Sequence, residues 1–199
     1  MNNYNQLRRF DMSVPWDVST AVHVGDFENL QNSGPVFFKP DGTWLLTHEG
    51  GYINTYSVTP AWDMAGVSFL AGDYDYSSGR ARSIFIRDDG MKYYFFGRSS
   101  LNVENQLYEY NGNGFSSYPS YDRVSTLYSP LGHGNGLFFS PDGKKMFVLD
   151  ISPQLIHSYT LTTPWSTASI VYDNKTLNRA FVANPCGIFF SPRSEEHTT

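Results

Sequence analysis

One cysteine, Cys186, stands among 199 residues, so no disulfide can close within the chain. That leaves the redox compartment open, because β-domains of this size do not need bridges. Long apolar runs are missing too. No stretch approaches the roughly 18 residues of a membrane helix, and the N-terminal MNNYNQLRRFD lacks the apolar core of a signal peptide. We therefore expect no membrane association, and a cytoplasmic or virion-associated setting. The net charge is −5, and lysines and arginines gather no further than pairs such as Arg8-Arg9 and Lys144-Lys145. A nucleic-acid partner needs a basic face, and none is legible.

Catalytic signatures are also lacking. The histidines at 23, 48, 133, 157 and 197 form no His-x-x-x-His pair and have no cysteine at zinc spacing. There is no Gly-x-Ser-x-Gly elbow and no phosphate loop. We expect no metal, no cofactor and no catalytic residue. Cys186 precedes a buried-looking strand and reads as a small core or loop residue rather than a nucleophile.

What the chain has in excess is aromatic: 14 Tyr, 15 Phe and 4 Trp, in a sequence 40% hydrophobic and 17% charged. That balance is globular, and aromatic residues suit the half-buried surface of a pleated sheet. The 17 Gly and 11 Pro are spread as turn punctuation, not gathered into a linker.

A segment recurs three times: VFFKPDGTWLL (36–46), SIFIRDDGMKYYFF (83–96) and GLFFSPDGKKMFVL (136–149). Each is an apolar run, a polar turn closing on Asp-Gly, and a second apolar run. The Gly accepts positive φ without steric cost and the Asp tolerates it, so each copy predicts an antiparallel hairpin. The turns at Asp41, Asp89 and Asp142 lie 48 and 53 positions apart. A second segment follows each hairpin: YINTYSVTPAW (52–62), QLYEYNGNGF (106–115) and LIHSYTLTTPW (155–165). Another copy, QLRRFDMSVPW (6–16), precedes the first. These alternate apolar and polar residues and end on an aromatic anchor: Trp16, Trp62, Phe115 and Trp165. Further short alternation after each anchor predicts a fourth strand.

The unit is thus four antiparallel strands returning about every 50 residues, which predicts an all-β fold, an incomplete β-propeller. Sandwiches and barrels also have many short strands, but they do not require the same turn and anchor at a fixed period. The expected blades are 33–76, 80–128 and 133–175, with partial blades at 5–27 and 184–192, the latter holding one inner strand.

The SPDGKKMFVLD hairpin followed by IHSYTLTTPWSTAS resembles the repeats of YVTN-type propellers. It is more similar still to propeller repeats of phage tail and virion-associated proteins, in which a Pro-Asp-Gly hairpin precedes Trp-Asp-x-Ser-Thr-Ala. VPWDVSTA (14–21) is the clearest copy, whereas NGNGFSSY lacks both the Trp and the Ser-Thr-Ala run. The missing catalytic motifs and the regular, uninterrupted blades lead us to expect a non-enzymatic interaction or structural module with a protein or glycan partner, to which the resemblance adds a virion-associated setting. Because propellers host many activities, a lactonase-like hydrolase and a carbohydrate-binding propeller stay open.

The repeat breaks in mid-turn after Pro192, and RSEEHTT (193–199) resembles a translated sequencing adapter, so we expect a non-native tail. Blades of this size in sixes to eights imply a parent of roughly 300–400 residues. Unfinished blades would leave open sheet edges and favour self-association.

Residues just before each first strand should ring one mouth of the central channel. Aligned on the hairpins, one ring holds Asn32, Arg80, His133 and Asn184, and the next Gly34, Arg82, Asn135 and Cys186. Arg80, Arg82, His133 and Asn135 are the candidate ligand-binding set, since guanidinium and amide donors can grip an anion. A solvated loop surface is the competing reading. A recurring Asp near the end of each fourth strand (Asp26, Asp73 or Asp75, Asp122, Asp173) lacks the dense carboxylates of a calcium loop and reads as turn capping. The anchors could stack sugars, or pack between blades.

Overall fold

The computed structural model describes residues 7–14, 17–27, 34–49, 51–74, 79–115, 119–127, 131–178 and 187–190. The strands, in order, are β1 (Leu7–Met12), β2 (Ala21–Phe27), β3 (Val36–Phe38), β4 (Trp44–Glu49), β5 (Tyr52–Val58), β6 (Val67–Tyr74), β7 (Arg80–Ile86), β8 (Lys92–Arg98), β9 (Gln106–Asn111), β10 (Ser120–Thr126), β11 (Gly134–Phe139), β12 (Lys145–Ile151), β13 (Gln154–Leu161) and β14 (Ile170–Asn178). They form three four-stranded antiparallel meanders, β3 to β6, β7 to β10 and β11 to β14, and one two-stranded sheet, β1–β2. Helix among the described residues amounts to three-residue 3-10 turns at Val18–Thr20, Met64–Gly66 and Thr167–Ser169.

The three hairpins form where Asp-Gly places them. In each, the Asp carboxylate accepts the amide two residues on: Thr43 to Asp41 (3.0 Å), Met91 to Asp89 (2.9 Å) and Lys144 to Asp142 (3.0 Å). The aromatic anchors then close over these turns. Trp62, Phe115 and Trp165 all have positive φ, at 64°, 67° and 64°. Bulky residues adopt that conformation only when their surroundings impose it. Here the Trp62 and Trp165 amides donate to the carbonyls of Gly42 (2.9 Å) and Gly143 (3.0 Å).

The cores lie between sheets. One joins β1–β2 to the first meander through Leu7, Phe27, Leu45, Tyr56 and Met64. A second joins the first and second meanders through Trp44, Leu46, Ile86, Tyr93 and Phe95. The third joins the second and third through Tyr94, Phe96, Leu137, Phe139 and Met146. The anchors bridge the same seams. Phe115 stacks on Phe37 of the preceding meander (6.5 Å, 8°) and Trp165 on Phe85 (6.1 Å, 23°). Strand β7 lies against β3 and β4 on one side and against β11 on the other. Sheets packed face to face, with their first strands side by side, are the blades of a β-propeller.

Two expectations need correction. Residues 187–190 carry no β-ladder. In the complete blades each first strand hydrogen-bonds only to the second strand of its own sheet, and 187–190 have no such partner among the described residues. They run beside β11 instead, with Phe189 and Phe190 against Phe138 (5.7 and 5.3 Å between ring centroids). Three of the recurring aspartates, Asp26, Asp122 and Asp173, are not turn caps. Asp122 and Asp173 sit at register breaks in β10 and β14. There they meet the lysine that opens the second strand of the same blade, Lys92 at 3.4 Å and Lys145 at 2.9 Å. Asp26 accepts instead from His23 (2.7 Å). Trp16, Asp75, Asn32, Asn184, Cys186 and the 193–199 tail lie outside the described residues.

Candidate site at the channel mouth

The first strands of the three blades and the 187–188 segment enclose a cavity of about 730 Å³. It lies at their N-terminal ends, away from the Asp-Gly turns. Arg80, Arg82 and Asn135 line it, together with Gly34, Ser83 and Gly187.

The backbone explains why these side chains meet. The register of β7 with β8 breaks between Ala81 and Ser83, and that of β11 with β12 breaks between Gly134 and Gly136. Arg82 and Asn135 are therefore the bulged residues at equivalent places in adjacent blades. A bulge re-aims a side chain out of the pleat, here toward the axis. Ser83 ties the two strands together by accepting the Leu137 amide (3.1 Å). Arg80 opens β7, is exposed, and stands directly opposite Arg98 of β8 in the ladder. Neither arginine has a carboxylate partner among the described residues.

His133 does not join this group. Its side chain is exposed and does not line the cavity. The backbone beneath it is held away by Asp150, whose buried carboxylate accepts the amides of Gly132 (2.6 Å), His133 (2.8 Å) and Ser152 (2.9 Å). Of the four residues singled out by position in the repeat, three converge and His133 departs.

One residue escaped the sequence reading. Glu104 grips Arg82 in a two-point ion pair, Oε2 to Nη1 at 2.7 Å and Oε1 to Nη2 at 3.2 Å. The signal that could have found it is the long β8–β9 connection, in which Glu104 is the one acidic residue between Arg98 and Gln106. Among the described residues no three His, Cys, Asp or Glu side chains gather as a metal would require. Chemically, the mouth offers guanidinium and amide donors with one carboxylate set against them.

A second polar cluster lies in a seam between blades. Glu109, 1% exposed, pairs with Lys92 of its own blade. It also accepts the Thr167 amide (2.8 Å) and hydroxyl (2.7 Å) from the next blade. With its acceptors occupied and buried, this cluster joins blades and is closed to a ligand.

No protein-family profile and no curated protein matches the chain. Solved structures resemble it in fold. A candidate 6-phosphogluconolactonase from Bacteroides fragilis aligns at TM-score 0.56 and 12% identity, over 92% of this chain and 50% of its own. A second, from Bacteroides uniformis, aligns at 0.58 and 13%, over 87% and 49%. The β-propeller domain of Cps50 (Swd1) from Myceliophteria thermophila aligns at 0.55 and 11%, over 87% and 52%. The chain spans about half the length of these structures. Similarity at such identities establishes the propeller fold and leaves function to the site.

Proposed function

We propose that this chain is a non-enzymatic binding module whose channel mouth receives an anionic group carried by a protein or glycan. The observation behind the reading is the convergence of Arg80, Arg82 and Asn135 on one cavity, two of them re-aimed by equivalent bulges. Arg80 faces Arg98 across the ladder, and a carboxylate or phosphate at the mouth relieves the repulsion between such guanidiniums. The similarity of VPWDVSTA and its copies to phage-tail repeats favours a virion-associated setting. Calorimetry with sulfate and with gluconate tests the reading. Wild type should release or absorb heat that Arg82→Ala does not, whereas equal or absent heats in both proteins would return the mouth to ordinary solvated surface.

The lactonase neighbours favour a second reading, hydrolysis of an anionic sugar lactone at the same mouth. Hydrolysis needs a general base within reach of the attacking water. His133 lies outside the cavity lining and Glu104 is engaged by Arg82, which is why binding is preferred. Turnover of 6-phosphogluconolactone above the rate shown by Arg82→Ala would reverse that preference.

A further inference from the structure

The carboxylate on Arg82 has an unusual origin. Glu104 comes from the β8–β9 connection, which holds seven residues, 99–105, while the equivalent β4–β5 and β12–β13 connections hold two each. The second blade thus has an extension at this end of the channel, and the extension delivers a carboxylate to Arg82 from just outside the cavity lining. The Arg82–Glu104 geometry is the fork-to-fork pairing with which a guanidinium receives a carboxylate from solution.

The extension is firmly rooted. Asn105 is buried, donates to the carbonyls of Leu131 (3.2 Å) and Gly132 (3.3 Å), and accepts the Gly134 amide (3.0 Å). The tip folds on itself, with the Ser99 hydroxyl accepting the Val103 amide (3.0 Å), and Leu101 stands 84% exposed. Glu104 lies next to the root, so rotation of its side chain suffices to release Arg82.

We propose that Glu104 is a resident competitor. It occupies the anion site of Arg82 in the free protein, so every anion that must displace it binds more weakly by the same factor, and a phosphomonoester, with more charge and more acceptors than a carboxylate, is the ligand best able to displace it. This rests on the reading of the mouth as an anion site. An incoming carboxylate exchanges one carboxylate on Arg82 for another of the same charge and shape. The resident one is tethered, with an effective concentration on the order of millimolar or more, so that exchange gains little. A phosphate brings nearly two charges and about three acceptor oxygens. It can hold Arg82 while also engaging Arg80 and Asn135, which line the same cavity.

The test is calorimetry of the full chain with inorganic phosphate and with acetate, at low ionic strength near about pH 8, where phosphate is doubly charged. Wild type should bind phosphate at least about tenfold more tightly than acetate. Glu104→Gln should tighten acetate and phosphate alike, each about tenfold, leaving the preference for phosphate in place. Arg82→Ala should lose both anions. Should Glu104→Gln not fold, Glu104→Asp, one methylene shorter, should tighten both anions in the same sense. If removing the carboxylate tightens neither anion while Arg82→Ala abolishes binding, the competitor is disproved and the anion site stands. If Arg82→Ala binds like wild type, or no anion binds any of these proteins, the anion site falls and the competitor with it.

Discussion

The indole of Trp165 covers Gly143. A Cβ on that glycine would stand 2.3 Å from the ring, and the Trp165 amide donates to the Gly143 carbonyl at 3.0 Å. Trp62 covers Gly42 and Phe115 covers Gly90 in the same way, with the virtual Cβ at 2.2 and 2.5 Å. Each blade therefore locks its hairpin turn with an aromatic ring from its own third-to-fourth-strand connection. The turn and the anchor, 20 or more residues apart in sequence, are one structural element.

Gly143→Ala should accordingly cost more than the usual loss of a positive-φ glycine. The new methyl meets the indole as well as an unfavourable backbone at φ 68°. We expect destabilisation of about 2 kcal/mol or more. Gly25→Ala is the control, because nothing lies closer than Met64 Cβ at 4.0 Å, and it should change stability by under about 1 kcal/mol. Denaturant midpoints for the two variants check this, and equal midpoints would separate the ring from the turn.

Glu109 should be the costliest single carboxylate to remove. Glu109→Ala strips Lys92 of its closest partner and leaves the Thr167 amide of the next blade without an acceptor in a buried seam. A loss of about 3 kcal/mol is expected. Glu109→Gln keeps one acceptor for Thr167 and should cost less. Chemical denaturation of both variants decides it, and a near-neutral Glu109→Ala would mean the seam does not depend on the pair.

Much of this architecture is legible in the sequence because its causes are local. Asp-Gly is one of few pairs that suit a tight hairpin, and a fixed period of turns and anchors leaves little but a propeller. The mouth is legible only in part. Arg80, Arg82 and Asn135 follow from their place in the repeat, but the bulges that aim Arg82 and Asn135 depend on how each strand registers against its partner. Arg98 closes a second strand and meets Arg80 only through that register. The Asp122 and Asp173 pairings were missed for the same reason, since their lysines lie 30 and 28 residues away.

Acid should unfold the protein in two ranges. His157 is fully buried, and burial pushes its imidazole below the ordinary value, offset in part by the nearby Asp150 carboxylate. The unfolded chain then binds the extra proton first, so stability present above about pH 6.5 declines as pH falls through and below that value. Asp173 behaves in the carboxylate range. Burial raises it, but hydrogen bonds from Ser158, Thr160 and Lys145 outweigh burial and hold it at about 2. Its contribution is present above about pH 4 and lost between about 4 and 2. Urea midpoints across pH should fall in both windows. His157→Gln should flatten the upper one alone, and an unchanged upper slope in that variant would assign it to another group.

The facing pair Arg80 and Arg98 makes the last prediction. Like charges directly opposite in an antiparallel ladder destabilise it, and neither has a carboxylate partner among the described residues. Arg98→Thr removes the repulsion and places a β-branched residue in a strand. The free protein should gain roughly 0.5 kcal/mol at low ionic strength. The gain should shrink as salt rises, because screening already quiets a pair in wild type of which Arg80 is exposed and Arg98 half-buried. Phosphate should narrow the gap as well, since an anion at Arg80 neutralises the same repulsion in wild type and has less to relieve in the variant. Thermal denaturation of both proteins, in low salt, high salt and phosphate, measures all three effects. A stability difference independent of salt would assign it to strand propensity, and Arg80 and Arg98 would then be two solvated side chains with no electrostatic stake in the mouth.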